Sequence, residues 1–494
     1  MEGKQNGSSD DRLTYPDDML WTIRNGLSKS PDPKNITIIG AGMAGLVAAS
    51  LLLDAGHKVT IIEGNNRVGG RIYTVREPFT PGNYLDVGAM RFPETHLLLM
   101  EYIKKYNLPI NQFLNTTKND VLFVNNVYTR QSTYNENPDI LQFPLPPEEQ
   151  GKTAKELLLT AVQPFLTLYE SSTSAEQEKL RMKFDRYSFD DFLRNNPFGN
   201  NLSSDAIRMI KVILGAEGFP AYSFVDIVLD VIGTIFNEDL IFYEITGGND
   251  NLPKVLYQKL KNNVIFNQKV NQIYQYKNGV TVTARDLCTG HGHAFDSDFT
   301  IATVPYSVFQ FIDVYPYESF SYKKWKVIRE LNYVSSVKIG LEFRTRFWET
   351  ARIGNIITDY PLRFAYNPSL TDIGGPGVML TSYSWGNNAM LWNSLDESGR
   401  IREALNGLYK IYGEQVYKEY LNGTSYSWSQ NQFSAGCFTL FSPNQASDFG
   451  DAVFLPEGRV HFAGEHTSRF HGWVEGAIES GIRAAYEIHN RTLV

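Results

Sequence analysis

The segment Ile36-Thr37-Ile38-Ile39-Gly40-Ala41-Gly42-Met43-Ala44-Gly45 decides the fold of the N-terminal part of this chain. It starts with a short run of β-branched residues and ends in glycines spaced as G-x-G-x-x-G. Leu46 to Leu53 continues as an apolar helix, and His57 to Ile62 follows as a second strand that ends at Glu63. Strand, glycine turn, helix, strand and acid in this order predict a βαβ unit that binds a dinucleotide.

Each glycine of this turn has its own predicted task. Gly40 permits the tight turn, Gly42 lets a pyrophosphate approach the backbone, and Gly45 lets the helix pack closely on the strand. The phosphates are expected at the helix N-terminus, where unpaired N–H groups and the helix dipole favour negative charge. Glu63 is placed to accept hydrogen bonds from an adenosine ribose.

Two other interpretations of this segment compete with the dinucleotide site. Ile36 to Leu53 is an uncharged run of 18 residues, which a hydropathy scan would flag as a membrane helix. A lone G-x-G-x-x-G also occurs by chance. The correct order of strand, glycines, helix, strand and acid argues against both interpretations.

Composition bounds the class of protein. The 494 residues suffice for two or three domains, and 42% hydrophobic with 20% charged residues is typical of a globular protein. The net charge of −8 argues against nucleic acid as a partner. Cys288 and Cys437 lie far apart, so we expect free thiols, and the absence of C-x-x-C argues against a metal site. The polar stretch from Met1 to Arg12 has no apolar signal core, which predicts a cytoplasmic location and no membrane attachment.

The residues after Glu63 indicate which dinucleotide is bound. A second glycine pair with two arginines, Arg67 and Arg71, can wrap the same pyrophosphate from the other side. Such a second contact suits a tightly held flavin nucleotide better than a nicotinamide cofactor that exchanges. At this point the chain resembles the flavin-dependent amine oxidases, which carry E-x-x-x-R-x-G-G-R after the first glycine motif. The pattern is complete here, in Glu63, Arg67, Gly69, Gly70 and Arg71. The resemblance implies FAD as the cofactor.

The next motif resembles the L-amino acid oxidases within that family. The run from Tyr84 to His96 contains their G-x-M-R-x-P-E-x-H pattern, from Gly88 through Met90 and Arg91. In that family the arginine binds the substrate carboxylate, a task for which a guanidinium fork is well suited. The resemblance implies this role for Arg91, and the alternative is a structural ion pair with a neighbouring acid.

Two further residues are assigned by resemblance to the substrate-facing region between Tyr333 and Trp428. Lys338 lies in an alternating strand, and the family carries a lysine there that holds a water against the flavin. An exposed strand lysine is the alternative. Tyr366 lies in a run that resembles D-x-P-x-R-x-x-Y-x-P, where the tyrosine hydroxyl joins the arginine on the carboxylate. A core tyrosine is its alternative.

The C-terminal segment carries the last motifs. Gly464 and Glu465 belong to G-E-H-T, which in the family approaches the ribityl–pyrophosphate portion of FAD. In the following H-G-W-x-x-G, the glycine carbonyl receives the substrate amine and the tryptophan lines the pocket, which implies these roles for Gly472 and Trp473. The remaining cofactor contacts implied by resemblance are Ala44, Gly88, Ala89, Met90, Arg91, Val270, Trp473 and Ala477.

Together these motifs predict an α/β fold with mixed α+β character and a discontinuous domain arrangement. A Rossmann-type FAD-binding domain is expected from residues 34–72, 243–330 and 430–490. A mixed-sheet substrate domain is expected from residues 73–150 and 331–429. The helical pattern of residues 151–242 predicts an insertion long enough to cover a pocket.

The resemblance covers almost the whole chain, from about Leu20 to Asn490, and it has two departures. Venom L-amino acid oxidases carry an arginine four residues before the matching lysine, where this chain has Val334. They also carry a histidine in the helical domain, whereas no histidine occurs here between His96 and His291. Help from a general base in that domain is therefore in doubt.

The function implied by the resemblance is oxidative deamination of L-amino acids by FAD and dioxygen, giving 2-oxo acids, ammonia and hydrogen peroxide in a homodimeric enzyme. Three alternatives remain open at this point. They are an amino-acid 2-monooxygenase that forms an amide, an amine or polyamine oxidase, and a flavin-binding module without catalysis.

Overall fold

The computed structural model describes residues 13–232, 234, 240–367 and 375–492. The predicted βαβ unit is confirmed: strands Asn35–Ile39 and Lys58–Ile62 pair in parallel, with Ile36 beside Val59. Helix Met43–Asp54 connects them and has 12 residues, so the apolar run is divided between a strand and a helix. Across the described ranges, no helix is long and apolar enough to span a membrane.

This unit belongs to a parallel sheet whose strands come from three separate parts of the chain. Its order is Val264–Ile265, Lys58–Ile62, Asn35–Ile39, Phe299–Ala302 and Val460–Phe462. Helix Val474–Asn490 packs against helix Met43–Asp54 so closely that a Cβ at Gly481 would lie 2.6 Å from the Ala44 carbonyl oxygen. The C-terminal segment therefore returns to the N-terminal glycine turn.

A second sheet contains the strands of the predicted substrate domain. Its order is Tyr420–Ser427, Ser336–Phe343, Gly377–Trp385, Phe364–Tyr366, Ile356–Thr358, Val121–Val124 and Val127–Arg130. Strand Ser336–Phe343 is buried along its whole length, whereas an alternating strand was predicted. Both faces are covered: Val337 and its apolar neighbours pack into one core cluster, and Gly340 on the other face meets Leu85. Lys338 is therefore buried, and the exposed alternative is wrong.

Smaller sheets connect the two regions. Strand Phe242–Ile245 pairs with Phe92–Pro93 and with Ile110–Phe113, although the sequence assigned residues 243–330 to the FAD-binding domain. The domain division remains a prediction, and the strand at this boundary pairs with the substrate-domain segment. The other small sheets are Gly292–Ser297, Val280–Asp286, Gln268–Gln275 and Asp313–Tyr315 in that order, Thr74–Val75 with Leu85–Asp86, and Tyr333–Val334 with Phe438–Thr439.

In its described part, the predicted insertion consists of helices joined by turns and loops, and its last residue begins strand Phe242–Ile245. Thr153 and Glu156 form a capping box that starts its first helix, as Ser/Thr and Glu at this spacing do. Phe192 and Phe224 stack with ring centroids 3.5 Å apart in its core. Residues 233 and 235–239 of the predicted insertion lie outside the described residues. The elements are Ala154–Glu170, Ser174–Phe184, Phe189–Arg194, Ser204–Ile213, Ala216–Gly218, Phe224–Asp226 and the π-helix Ile227–Ile232.

The remaining helices surround the sheets. Those before the insertion are Asp17–Asn25, Leu97–Lys105, Gln131–Glu136 and Pro138–Leu141. Those after it are Asn251–Leu260, Tyr306–Phe309, Tyr317–Ser319, Tyr322–Glu330, Phe347–Thr350, Gly386–Asn393, Glu397–Tyr412, Gln415–Glu419, Gln445–Phe449, Gly450–Val453 and Glu465–Thr467.

A buried histidine beside the parallel sheet, His57, predicts acid sensitivity; it contacts the half-buried His489. His57 Nδ1 accepts the Lys34 backbone N–H at 3.1 Å, and its Nε2 lies 3.1 Å from Nδ1 of His489. Burial, with Lys34 and His489 nearby, lowers the pKa of His57 to about 4. The folded protein therefore binds fewer protons than the unfolded chain below about pH 6.5, so this contribution to stability is lost as the pH falls from about 6.5 to about 4.

Between pH 7 and pH 4.5, we expect the unfolding free energy of the wild type to fall by up to about 3 kcal/mol more than that of His57→Asn. The asparagine oxygen can still accept the Lys34 N–H but does not titrate. Urea unfolding of both proteins at the two pH values measures the difference. Equal slopes in the wild type and the variant would contradict the prediction.

Candidate active site

A long cavity follows the carboxyl ends of the parallel strands, where open α/β sheets bind ligands. It is lined by Gly40 and Gly42 after the first strand, by Glu63 after the second, by Thr303 after Phe299–Ala302, and by Gly464 after Val460–Phe462. The loops that the sequence identified by motif therefore meet along one edge of one sheet.

The glycine turn has the geometry that the sequence predicted. Gly40 has a φ of +108°, and a Cβ at Gly45 would lie 2.1 Å from the Gly40 carbonyl oxygen. A Cβ at Gly42 would find no protein atom closer than the Gly70 Cα at 4.0 Å. Gly69 N–H donates to the Ala41 carbonyl at 2.8 Å, so the second glycine pair docks on the first turn. This leaves open backbone beside the N-terminus of helix Met43–Asp54.

The charged residues Glu63 and Arg67 are held by hydrogen bonds to backbone groups. The Glu63 carboxylate accepts N–H groups of Ala41 and Asn65, each at 2.7 Å, and its burial raises its pKa. Arg67 donates to the Gly70 carbonyl at 2.9 Å.

Arg71 forms an ion pair within the protein, whereas the sequence predicted that it contacts the pyrophosphate. Its Nη1 donates to Glu465 at 2.6 Å and to the Cys437 carbonyl at 3.2 Å. This ion pair joins the N-terminal glycine motif to the C-terminal G-E-H-T motif. A contact of Arg71 with pyrophosphate remains a prediction.

Arg91 is a buried cation that lines the cavity and carries a donor with no hydrogen-bond partner in the described part of the chain. It is 7% exposed, and its guanidinium lies 5.2, 5.4 and 5.8 Å from the ring centroids of Tyr366, Phe113 and Phe242. Among the described residues, no acid pairs with it and its Nη1 has no hydrogen-bond partner. The structural ion pair considered from the sequence is therefore not found there. A buried guanidinium without a partner is costly, which points to an anionic ligand.

Tyr366 and Lys338 lie beside the cavity wall. Tyr366 is buried and contacts the Arg91 guanidinium through its ring. Lys338 Nζ donates to the backbone carbonyls of Asp86 at 2.9 Å and Gly88 at 2.6 Å. Burial lowers the pKa of this ammonium well below its usual range. Lys338 thus holds the backbone that leads into Gly88–Arg91.

Gly472 and Trp473 also line the cavity. Gly472 has a φ of +79° and donates its N–H to Glu465 Oε2 at 3.0 Å. The Trp473 ring meets the His96 ring edge-on, with centroids 4.8 Å apart. Glu475 accepts the N–H groups of Leu98 and Leu99, each at 2.9 Å, and so caps helix Leu97–Lys105. These contacts set the position of Trp473.

Most of the predicted site residues line this one cavity, although they come from distant parts of the chain. Those that line it are Gly40, Gly42, Ala44, Glu63, Arg67, Gly70, Arg71, Gly88, Ala89, Met90, Arg91, Val270, Gly464, Glu465, Gly472, Trp473 and Ala477. Gly45, Lys338 and Tyr366 lie outside the lining. Gly45 packs on the turn, while the other two contact residues of the wall.

Sequence reasoning missed the aromatic wall near Arg91. Phe219, Tyr383, Trp385, Trp428 and Phe438 all line the cavity. Each lies in a strand, a turn or the helical insertion, where an aromatic residue is equally typical of a core. The sequence from Phe299 to Thr303 predicts a strand, but only the structure shows that this strand pairs in parallel with the first one and so brings Thr303 to the cavity.

The fold and cavity define a dinucleotide-binding oxidoreductase whose apolar pocket is lined by a cation, Arg91, for which the described ranges of the chain offer no acidic partner. The sequence matches the family described as flavin containing amine oxidoreductase over residues 43–489, and the chain belongs to this family. Residues 7–76 also match the family described as pyridine nucleotide-disulphide oxidoreductase. The cofactor is FAD.

Individual relatives agree with this assignment. The Bacillus subtilis (strain 168) protein YobN is 46% identical over 96% of this chain and 98% of its own. The L-amino-acid oxidase of Siganus canaliculatus is 36% identical over 97% and 89% of the two chains, and that of Pseudechis australis is 33% identical over 96% and 90%.

Solved structures share the fold. A wild-type putrescine oxidase bound to putrescine has a TM-score of 0.75 with 19% identity, covering 93% of this chain and 100% of that one. Cyclohexylamine oxidase from Brevibacterium oxydans IH-35A has a TM-score of 0.73 with 20% identity, covering 93% and 99%.

The residues present fit FAD. The open backbone at Gly42 and Gly70 leaves room for a pyrophosphate beside a helix N-terminus, as phosphate sites require. Beyond it the cavity continues past Ala89 and Met90 to the aromatic wall, which suits a flat ring. Arg91 also lines this cavity, and its guanidinium has no acidic partner among the described residues that it would have to leave to bind a second ligand.

Proposed function

We propose that this protein oxidises L-α-amino acids to 2-oxo acids, with release of ammonia and with dioxygen reduced to hydrogen peroxide. The observation that carries the proposal is the buried Arg91 guanidinium, which has an unsatisfied donor and no acidic partner among the described residues. A carboxylate would satisfy it as a charge-assisted hydrogen bond. The relatives named L-amino-acid oxidase support the same substrate class.

In the proposed mechanism, this chain positions the substrate at both ends. Arg91 binds the carboxylate, with the Tyr366 hydroxyl as a second donor, and the Gly472 carbonyl accepts a hydrogen bond from the amine. Two fixed ends restrict rotation of the Cα, and such positioning accounts for several kcal/mol of a barrier. The aromatic wall excludes water from the reacting carbon. FAD, when bound, supplies the two-electron oxidation.

Lys338 is proposed as the catalytic lysine. Two of its N–H groups are used by the Asp86 and Gly88 carbonyls, and an ammonium has three. We propose that the third holds a water. The two carbonyl contacts also link this lysine to the backbone that carries Arg91, so both residues depend on the same local structure.

The cavity wall near Arg91 predicts a preference for large neutral side chains. Phe219, Trp385 and Phe438 offer no charge partner to a substrate side chain, and burying a charge without one is costly. We expect kcat/KM for L-phenylalanine and L-leucine to exceed that for L-glutamate and L-lysine by about 100-fold. This ratio corresponds to a cost of roughly 3 kcal/mol for burying one charge without a partner. A peroxide-coupled screen of the twenty L-amino acids measures this, and equal rates with charged substrates would contradict it.

Two experiments separate the proposed function from its alternatives, one without dioxygen and one in air. In the anaerobic experiment, loss of the yellow colour with L-phenylalanine excludes a flavin-binding module without catalysis. In the aerobic experiment, a 2-oxo acid with peroxide as products supports an oxidase, whereas an amide with carbon dioxide identifies a monooxygenase. Faster reduction by phenethylamine than by phenylalanine would identify an amine oxidase and overturn the proposal.

A further inference from the structure

Residues 431–434, which we call the crossing segment, form part of the wall of the dinucleotide cavity. All four line the cavity, and they range from exposed at Gln432 to buried at Ser434. The segment lies in the loop that joins strand Tyr420–Ser427 to strand Phe438–Thr439. It therefore lies at the boundary between the cavity and the solvent.

The crossing segment contacts two other loops through adjacent residues. The ring of Phe433 lies on Gly64, which directly follows Glu63. The carbonyl of the next residue, Ser434, accepts the Ser307 hydroxyl at 2.6 Å. Both contacts are made by protein groups, and both lie beside the cofactor cavity.

These two contacts lie on either side of the central strand of the parallel sheet. Strand Lys58–Ile62 leads to Gly64, and strand Phe299–Ala302 leads to helix Tyr306–Phe309, which contains Ser307. The two strands pair with opposite sides of Asn35–Ile39. Neighbouring strands are about 4.8 Å apart, so the crossing segment spans roughly 10 Å at the carboxyl end of the central strand. The glycine turn that is expected to hold the FAD pyrophosphate begins at that end.

The contact between Phe433 and Gly64 leaves no room for a side chain on the glycine. A Cβ at Gly64 would collide with Cε1 of the ring and would lie 2.8 Å from Cδ1 and 3.0 Å from Cζ. The φ of Gly64 lies outside the left-handed region, so its backbone conformation does not demand a glycine. The absence of a side chain at this position is therefore matched to the Phe433 ring.

The remainder of the loop is fixed independently of this ring. The Ala435 N–H donates to the Asn431 carbonyl at 2.9 Å, and Asn431 Nδ2 donates to the Tyr426 hydroxyl at 2.7 Å. The Phe433 side chain takes no part in these bonds. Its ring can therefore leave Gly64 while the ends of the loop stay in place.

We propose that the crossing segment is a gate for FAD and that the contact of the Phe433 ring with Gly64 holds this gate closed. FAD enters and leaves when the ring has moved off Gly64. The contact joins two protein groups, so it stabilises the closed form both with and without FAD. A change that destabilises the closed form equally in both states alters the rates of exchange but not the affinity. This inference goes beyond the proposed oxidase function, because it concerns the cofactor and is independent of the substrate.

The test is the exchange of FAD in full-length Phe433→Ala. Stopped-flow quenching of flavin fluorescence on mixing FAD with the apoprotein gives the association rate constant. Release of radiolabelled FAD from the holoenzyme into an excess of unlabelled FAD gives the dissociation rate constant. We expect both constants to rise about tenfold, on the scale of the packing lost with one half-buried aromatic ring, and Kd to stay within about threefold of the wild type.

Two outcomes of this experiment would overturn the proposal. A rise in the dissociation rate constant alone would show that Phe433 merely contacts FAD and does not gate it. Unchanged rate constants would show that the contact with Gly64 does not limit exchange.

Gly64→Ala changes the other partner of the contact, with Gly292→Ala as its matched control. The added methyl group should displace the ring and raise both rate constants as in Phe433→Ala. A Cβ at Gly292 would meet no heavy atom within 4 Å in the described structure, and the φ of Gly292 also lies outside the left-handed region. Gly292→Ala should therefore exchange FAD at wild-type rates, and equal acceleration in both glycine variants would contradict the gate.

The double variant Gly64→Ala/Phe433→Ala separates the gate from a direct effect on the dinucleotide site. Both changes act on one contact, so the double variant should exchange FAD no faster than Phe433→Ala alone. Effects that multiply would mean that Gly64→Ala acts on the FAD site itself, and the proposed contact would be rejected. If Gly64→Ala does not retain FAD, the two rate constants of Phe433→Ala decide.

Discussion

Arg91→Met is expected to lower kcat/KM for L-phenylalanine by about 30-fold or more, which corresponds to ~2 kcal/mol or above. Methionine retains most of the side-chain length but removes the cation that would bind the carboxylate. Arg91→Ala should lose at least as much activity. Oxidation of phenethylamine, which has no carboxylate, should not fall in parallel. Steady-state peroxide assays on the two substrates measure the ratio.

The same variant makes a second, opposite prediction for stability. In the free protein, the Arg91 guanidinium is buried with an unsatisfied donor, and such a group opposes folding. Arg91→Met should therefore unfold at a temperature no lower than the wild type when no substrate is present. Residues selected for binding rather than folding behave in this way.

Arg67→Met is the matched control for Arg91→Met. Arg67 also lines the cavity, but it contacts the Gly70 carbonyl and the Tyr73 ring beside the glycine motifs. Its loss should weaken retention of FAD and leave the preference for phenylalanine over phenethylamine unchanged. An Arg91→Met protein that keeps the wild-type preference would reject the assigned role of Arg91.

Gly45→Ala and Gly42→Ala are expected to fail in different ways, although they lie three residues apart. A Cβ at Gly45 would lie 2.1 Å from the Gly40 carbonyl oxygen, a contact with backbone that cannot yield locally. We expect Gly45→Ala to lose about 3 kcal/mol or more of folding free energy, with or without FAD. Thermal unfolding followed by circular dichroism measures this loss.

Gly42→Ala should instead fold normally and bind FAD poorly. Gly42 has a φ of −75°, which alanine adopts without strain, and its Cβ would meet no protein atom closer than 4.0 Å. The added methyl group would occupy the backbone approach reserved for the pyrophosphate. We expect the unfolding temperature of the apoprotein to match the wild type and the FAD dissociation constant, from fluorescence titration, to rise about tenfold or more. Wild-type affinity in Gly42→Ala would contradict this role of Gly42.

The dinucleotide motif could be predicted from sequence because its physics is local. The turn at Gly40, the close contact at Gly45 and the acid at Glu63 depend on spacing within one βαβ unit. Spacing within a single unit is visible in the sequence. The second glycine pair was equally visible, and Gly69 indeed docks on the Ala41 carbonyl.

Predictions about charge partners were less complete, because a partner can lie hundreds of residues away. Arg71 was expected at the pyrophosphate, and its Nη1 is bonded to Glu465, 394 residues later. Lys338 was assigned to an alternating strand, but coverage of both sheet faces buries every residue of that strand. Neither outcome follows from a local pattern.

The sequence by itself determined the βαβ unit, the family and most of the motif residues that line the cavity, since each rests on residue type at fixed short spacing. Only the tertiary structure decided that Arg91 lacks an acidic partner among the described residues, that aromatic residues from several segments form one wall, and that the Phe433 ring lies on Gly64. These properties depend on which distant segments pack together. Long-range packing follows from the burial of the whole chain, and no short stretch of sequence contains it.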